Sequence, residues 1–224
     1  MSTTVNIAVT TGIGADTSLW SGGANNNFGV ATTLYLDSPS LVVLLRFDLS
    51  GILSTATCDA AALKLTPATN ESSETYNLYK ITDANGDWVE GTKNNATAGT
   101  GEPCWNKKAY NTVDWAGSAG MSTAGTDYVN TVLATFTGAV TADTTFELTF
   151  NASGLAILQD WFGDAANNGF LLKCEHSTEK QFCSGEYSNA ALRPILSVTY
   201  TEAGGLHRIN MNAQMQSLNG GMHG

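Results

Sequence analysis

The stretch LVVLLRF, at residues 41–47, is a nearly continuous apolar run. Runs of this length without polar alternation are typical of strands that are covered on both faces. The stretch therefore predicts a central, doubly covered β-strand.

The segments around this run alternate apolar and polar residues. We predict eight further strands, at residues 33–36, 61–65, 76–81, 129–136, 145–150, 170–174, 181–186 and 194–200. Many short strands separated by turn-rich segments are typical of a sandwich. Charged residues make up only 13% and there are 23 glycines, which favours strands and turns over long surface helices. The sequence therefore predicts an all-β, antiparallel β-sandwich.

One helix is predicted, in the segment SGLAILQDWFG at residues 153–163. Ser153 is a candidate N-cap, and Gly163 fits the position just after a helix end. Leu155, Leu158 and Phe162 fall on one face at helical spacing. We expect this helix to cross over and close one end of the sandwich.

The chain has 224 residues and a formal net charge of −10. This charge argues against nucleic acid and anionic membranes as partners. No apolar run approaches about 18 residues, so we expect no bilayer-spanning helix. The N-terminal sequence MSTTVNIAVTTGIGADT lacks a basic and an apolar segment, so we expect no secretory signal, although a chain with its signal removed would look the same.

Four cysteines are present and none forms a Cys-x-x-Cys zinc pattern. Cys174 and Cys183 flank EHSTEKQF, which is predicted to form a hairpin turn. A disulfide between them is one expectation, and two free thiols are the alternative.

Residues 83–125 form a turn-rich stretch that is too long for a plain loop and that carries Trp88, Trp105 and Trp115. We call it the excursion and expect it to pack on the sandwich. Exposed tryptophans stack on sugar rings, so these three are candidate ligand-binding residues, with core packing as the alternative.

Oxygen-bearing side chains within the excursion suggest a binding site for a cation. Asp83, Asn85 and Asp87 match the first positions of a calcium loop, but Trp88 stands where an EF-hand needs glycine and Asn94 where it needs glutamate. Two interpretations are left: an irregular loop that holds a structural calcium, or an Asx-turn without a metal ion.

Charged residues within apolar strands are predicted to be structural. A guanidinium inside the run at 41–47 needs a carboxylate, and Asp48 follows Arg46 at i+2, on the same face. Arg193 begins the last strand and can pair with Glu186 or Glu90.

The segment after residue 200 differs in composition. It begins at a Gly-Gly joint and has no acidic residue beyond Glu202. Met211, Met215, Leu218 and Met222 repeat at helix-face spacing. We therefore divide the chain into a sandwich domain, residues 1–200, and a Gly-hinged tail, residues 201–224, with a docking or oligomerisation arm and a disordered tail as the two hypotheses.

The order of motifs between residues 14 and 200 resembles the DNRLRE domain family. The segments that carry the resemblance are NNNFG (25–29), TLYL (33–36), LLRFDLS (44–50), AAAL (60–63), WVE (88–90), WN (105–106), Trp115, the helix ending in Trp161, NNGFLL (167–172), Phe182 with Ser184 and Glu186, and RPILSVTY (193–200). The chain departs from the family at residues 116–120 and at Cys104. The resemblance implies a jelly-roll-like sandwich, similar to carbohydrate-binding modules, and an accessory, non-catalytic role.

Two functions are expected from the sequence. The first is a structural protein on the surface of a phage-like particle, as head decoration, fibre or tail component, whose tail binds other virion subunits or a second copy of the chain. The second is a carbohydrate-binding module of a secreted or cell-surface protein. No nucleophile motif and no pair of facing acids points to an enzyme.

Overall fold

The structure is a computed structural model and describes residues 1–9, 14–163 and 166–203. Within these ranges, the strands are β1 Ser2–Ala8, β2 Ala15–Trp20, β3 Asn26–Asn27, β4 Thr33–Leu36, β5 Leu41–Arg46, β6 Thr57–Leu65, β7 Glu71–Lys80, β8 Ala96–Thr97, β9 Lys107–Ala109, β10 Val113–Asp114, β11 Ala134–Val140, β12 Phe146–Phe150, β13 Phe170–Cys174, β14 Lys180–Cys183 and β15 Ile195–Thr201. The α-helix, α1, spans Ala152–Trp161.

Nine strands form one antiparallel sheet in the order β1-β15-β6-β12-β11-β7-β13-β5-β2. β4 and β14 pair with each other outside this sheet. Their Leu36 and Phe182 share a core cluster with Leu63, Leu78 and Leu172 of the large sheet. This arrangement is a jelly-roll-like antiparallel sandwich, so the predicted all-β class is confirmed.

The strand β5 is covered on both faces, as the apolar run predicted. Val43 and Leu45 point into the main core, whereas Val42 and Leu44 belong to a second apolar cluster. The predicted central position is wrong, because β5 lies next to the edge strand β2. Its second cover comes from the excursion.

The excursion packs on the outer side of the large sheet. Trp88, Trp115 and Met121 of the excursion join Leu19 and Leu44 of the sheet in the second cluster. The expectation of a packed segment is therefore confirmed.

The helix α1 connects β12 to β13, which are separated in the sheet by β11 and β7. It is thus the expected crossover, and Leu158 and Phe162 lie in the main core. Its N-cap is Asn151, whose side chain accepts from the Gly154 amide at 3.0 Å, and not Ser153. Gly163 follows the helix with a φ of 75°, as its predicted position requires.

The N-terminal strands were not predicted. β1 pairs with β15 along its whole length, from Ser2 opposite Thr201 to Ala8 opposite Ile195. Its sequence, STTVNIA, is polar because much of the strand is exposed. β2 forms the edge beside β5.

The predicted hairpin between Cys174 and Cys183 is wrong. Cys174 ends β13, which pairs with β7 and β5, whereas Cys183 ends β14, which pairs with β4 in the other layer. Both residues are buried free cysteines, so the structure has the two-thiol alternative and no disulfide between them.

The last strand ends at Thr201, close to the predicted domain boundary at residue 200. The predicted docking residues Met211, Met215, Leu218 and Met222 lie outside the described residues. Among the described helices, none has the length and apolar character needed to cross a membrane.

Candidate functional site

A cleft of about 270 Å³ opens beside the start of β5. Its walls come from the end of β2, the segment after β3, the middle of β4, and two loops. It is lined by Trp20, Phe28, Tyr35, Leu41, Asn94, Asn95 and Glu179. We call it the aromatic cleft.

Three rings form one continuous wall of the aromatic cleft. The ring centroids of Trp20 and Phe28 are 6.4 Å apart, and those of Phe28 and Tyr35 are also 6.4 Å apart, both pairs edge to face. Phe28 is buried, and Trp20 and Tyr35 are half-buried, so the outer two rings keep part of their surface open. A buried aromatic between two partly open ones holds them in fixed orientations.

Glycines after β2 let the indole of Trp20 fold back over the chain. A Cβ at Gly22 would lie 2.6 Å from the indole, and one at Gly23 would lie 2.9 Å from it. Any side chain at these positions would push the ring away, so the Trp-Ser-Gly-Gly sequence fixes the wall of the cleft.

Polar side chains stand at the rim of the aromatic cleft. Asn94 is exposed and its side chain makes no hydrogen bond within the described part of the chain. Asn95 Oδ1 accepts from Asn26 Nδ2 at 3.0 Å, and Glu179 Oε1 accepts from Gln181 Nε2 at 2.9 Å. The cleft thus combines ring surface with amide and carboxylate groups, which suits a ligand with apolar faces and hydroxyl edges.

The predicted ligand-binding tryptophans of the excursion lie elsewhere. Trp88 and Trp115 are 1% and 4% exposed, and their indole nitrogens donate to the carbonyl oxygens of Asn168 and Cys104 at 2.9 and 3.0 Å. The sugar-stacking prediction is therefore wrong for these two, because neither ring has an open face.

Trp105 is half-buried and its ring lies close to Gly120 of the excursion, where an added Cβ would lie 2.3 Å from the ring. It does not line the aromatic cleft. Sequence reasoning missed Trp20, Phe28 and Tyr35 as a group, although the Trp-Ser-Gly-Gly sequence at residues 20–23 is a local signal for the first of them.

The predicted calcium ligands do not converge. Asn85 is completely buried: its Nδ2 donates to Asp127 Oδ1 at 3.1 Å, and its Oδ1 accepts from the Ala116 amide at 2.9 Å. Asp87 bonds to Lys108, and Asp83 accepts from Asn168 Nδ2. The buried amide and the two exposed carboxylates therefore point to different partners, and this ligand set is wrong.

Asp83 and Asp87 instead line a larger, polar cleft of about 610 Å³ that also contains Arg46 and Asp48. Arg46 Nη1 donates to the carbonyl oxygens of Trp88 at 3.0 Å and Gly86 at 3.4 Å. Asp48 Oδ1 accepts from the Ser50 amide at 2.8 Å, and hydrogen bonds from Ser50 lower the pKa of this carboxyl. These contacts hold backbone segments together, and the cleft presents no open aromatic face.

The charge of Arg193 acts on Glu186, one of the two acids suggested for it. Burial raises the pKa of Glu186, and the charge of Arg193 acts in the opposite direction. Arg193 Nε also donates to the Tyr187 carbonyl oxygen at 2.9 Å. Glu90, the other acid, has Arg46 as its basic neighbour.

Comparison of the chain with protein-family models finds no matching model, and comparison with curated proteins finds no match. The resemblance to DNRLRE domains therefore stays a prediction.

Proposed function

We propose that this chain is a non-enzymatic β-sandwich module that binds a neutral carbohydrate in the aromatic cleft. The observation that carries the proposal is the wall formed by Trp20, Phe28 and Tyr35, whose outer two rings keep open surface. The sequence resemblance to carbohydrate-binding-like sandwich domains supports the same conclusion.

The chemistry of the aromatic cleft suits a sugar ring. The C–H face of a pyranose is apolar and matches the face of an aromatic ring, while its hydroxyl groups need donors and acceptors at the edge. Asn94 offers both an amide donor and a carbonyl acceptor, and the Glu179 carboxylate accepts. A cleft of this volume accommodates one or two sugar rings at the end of a chain or along it.

The charge of the site favours a neutral glycan. Glu179 stands at the rim of the aromatic cleft, and the whole chain carries a net charge of −10. Both repel uronates, sulfated sugars and sialic acids. The proposed ligand class is therefore neutral hexose or pentose polymers.

The proposed biological setting rests on the sequence alone. In the first setting, the protein lies on the surface of a phage-like particle and its tail binds other virion subunits or a second copy of the chain. That binding depends on residues 204–224, which the structure does not describe. We retain that setting as a proposal, with an extracellular module as the alternative. A glycan-binding cleft serves adhesion in either one.

The proposal is tested by affinity electrophoresis against soluble neutral polysaccharides, followed by calorimetric titration with any that retards the protein. Trp20→Ala removes one of the two outer rings of the wall. Asn94→Ala removes an exposed amide without breaking a described hydrogen bond. Asn6→Ala, at an exposed asparagine of β1, is the matched control. Trp105→Ala tests the tryptophan that the sequence pointed to.

We expect Trp20→Ala to weaken binding by at least about tenfold, which corresponds to about 1.4 kcal/mol. Asn94→Ala weakens it less, and the Asn6 control binds like the wild type. Absence of binding to every neutral polysaccharide would refute the proposal. So would a loss of affinity in Trp105→Ala that Trp20→Ala does not show.

A further inference from the structure

Three carboxyl groups from separate parts of the chain meet beside β2. Asp16 lies in β2, Glu90 in the excursion and Glu186 after β14, and one oxygen of each lies within 4.8 Å of the others. We call these residues the acid triad. Asp16 is 1% exposed, and Glu90 and Glu186 are half-buried.

The acid triad joins three chain segments through hydrogen bonds. The amide of Asp16 donates to Glu90 Oε1 at 2.8 Å, and Asp16 Oδ2 accepts from the Gly185 amide at 2.7 Å. Glu186 Oε2 is buried and has no hydrogen-bond partner among the described residues. Ionised Glu186 therefore has one carboxylate oxygen whose desolvation is not offset by a hydrogen bond.

The charges of two basic groups act on the triad, and they do not balance it. The charge of Arg193 lowers the pKa values of Asp16 and Glu186, and the charge of Arg46 lowers that of Glu90. Three ionised carboxylates beside two guanidinium groups leave one negative charge in excess, inside the protein. The carboxyls therefore repel one another unless at least one of them holds a proton.

The pKa of Glu90 lies near neutral pH. Burial raises the pKa of Asp16 well above its usual range and that of Glu90 to about 7, and the neighbouring charge of Glu186 raises both. The hydrogen bond from the Asp16 amide acts in the opposite direction on the pKa of Glu90. Burial also raises the pKa of Glu186. Carboxyl groups this close to one another titrate as a coupled set.

The triad connects two of the chain segments that line the aromatic cleft. β2, which holds Asp16, ends at Trp20. The segment that holds Glu90 continues to Asn94 and Asn95, which also line the cleft. The hydrogen bond from the Asp16 amide to Glu90 thus joins these two segments, which we call the two sides of the cleft.

We propose that the acid triad makes the aromatic cleft sensitive to pH: the protonated triad holds the two sides together, and ionisation loosens the segment that carries Asn94 and Asn95. The effect on ligand affinity rests on the proposed carbohydrate-binding function. The effect on the cleft itself does not.

The direction of the effect follows from proton linkage. The pKa of Glu90 is about 7 in the folded chain against an ordinary value of 4.5, so between these values the folded chain binds more protons than the unfolded chain. The free energy of unfolding therefore falls as the pH rises through this window and levels off above it. Glu90→Gln keeps an oxygen for the Asp16 amide, carries no charge, and removes this part of the titration.

The ligand-free test is hydrogen exchange measured by mass spectrometry at pH 5.5 and 8.5, corrected for the intrinsic pH dependence of exchange. EDTA is present, so that divalent ions do not neutralise the carboxylates. In the wild type we expect residues 91–97 to lose protection by about tenfold at the higher pH, corresponding to about 1.4 kcal/mol. In Glu90→Gln we expect little change, and α1 serves as the internal reference. Glu175→Gln, at an exposed glutamate, is the matched control and follows the wild type.

Equal protection of residues 91–97 at both pH values overturns the inference, and so does a pH effect that Glu90→Gln retains. A second measurement, the dissociation constant of a bound polysaccharide at the two pH values, is expected to show weaker binding at pH 8.5 in the wild type only. If no polysaccharide binds at either pH, the proposed function fails, and the exchange result still decides the role of the triad.

Discussion

The guanidinium of Arg46 lies over the indole of Trp88, 4.9 Å from the ring centroid, and its Nη1 also donates to the Trp88 carbonyl oxygen at 3.0 Å. One side chain of β5 thereby contacts both the ring and the backbone of a single residue in the excursion. Trp88 in turn donates to the Asn168 carbonyl oxygen, so three chain segments meet at this point. The basic residue within the apolar run at 41–47 thus attaches the excursion to the sheet.

Arg46→Lys keeps the charge but loses the planar fork that contacts ring and carbonyl together. We expect the free energy of unfolding to fall by about 1–3 kcal/mol, from one charged hydrogen bond and a desolvated cation–π contact. Urea denaturation measures the change. A value within about 0.5 kcal/mol of the wild type, the range of ordinary surface substitutions, would contradict this role.

Asp127 organises the end of the excursion. It is completely buried, and its carboxylate accepts from Asn85 Nδ2 and from the amides of Gly117, Ser118 and Thr123, at 2.8–3.1 Å. Asp127→Asn places a donor against these donors, and we expect a loss of about 2–4 kcal/mol in unfolding free energy.

The matched control for this substitution is Asp143→Asn, at an exposed turn residue with a φ of 58°, a conformation that asparagine tolerates. It is expected to be nearly neutral. Equal stability of the two variants in urea would show that the buried carboxylate is not needed.

Gly154 allows α1 to approach the sheet closely. A Cβ at this position would lie 2.6 Å from the Leu133 carbonyl oxygen and 2.6 Å from the ring of Phe150. Gly154→Ala is therefore expected to destabilise the protein, although alanine favours a helix by about 1 kcal/mol over glycine.

The control is the reverse substitution on the exposed face of the same helix, Ala156→Gly, which is expected to cost about 1 kcal/mol from propensity alone. Thermal unfolding followed by circular dichroism compares the two. A stabilised Gly154→Ala variant would be inconsistent with the packing described here.

The thiols are expected to be unreactive in the folded protein. Burial raises the pKa of Cys174 to about 12 and that of Cys58 to about 11, and it also raises the pKa values of Cys104 and Cys183. At pH 8, a thiol reagent such as Ellman's reagent should react slowly with native protein and rapidly with all four cysteines in guanidinium chloride.

The same protein, purified without reductant, should have the mass of the fully reduced chain. A mass lower by two hydrogens, or fewer than four reactive thiols after unfolding, would contradict the separation of Cys174 and Cys183 in different layers.

Local patterns were sufficient to predict most strands and the helix. The strands at residues 33–36 and 170–174 were predicted with their exact bounds, and the helix was displaced by one or two residues. The apolar run at 41–47 correctly showed that both faces of β5 are covered. β1 was missed because this threonine-rich edge strand has only a short apolar face, with Val5 and Ile7 partly buried against the main core.

The sequence by itself determined most of the strands and the helix, because the apolar period of a segment indicates how many of its faces are covered. Only the tertiary structure decided what covers each face. Trp88 and Trp20 both stand near turns in the sequence, yet Trp88 is buried between the excursion and the sheet, whereas Trp20 lines an open cleft. Cys174 and Cys183 are nine positions apart, yet they belong to different layers. Periodicity shows that a face is buried but does not specify its partner. The partner of each face depends on contacts between residues that are distant in the sequence, such as the hydrogen bond between Asp16 and Glu90. No local sequence pattern predicts such contacts.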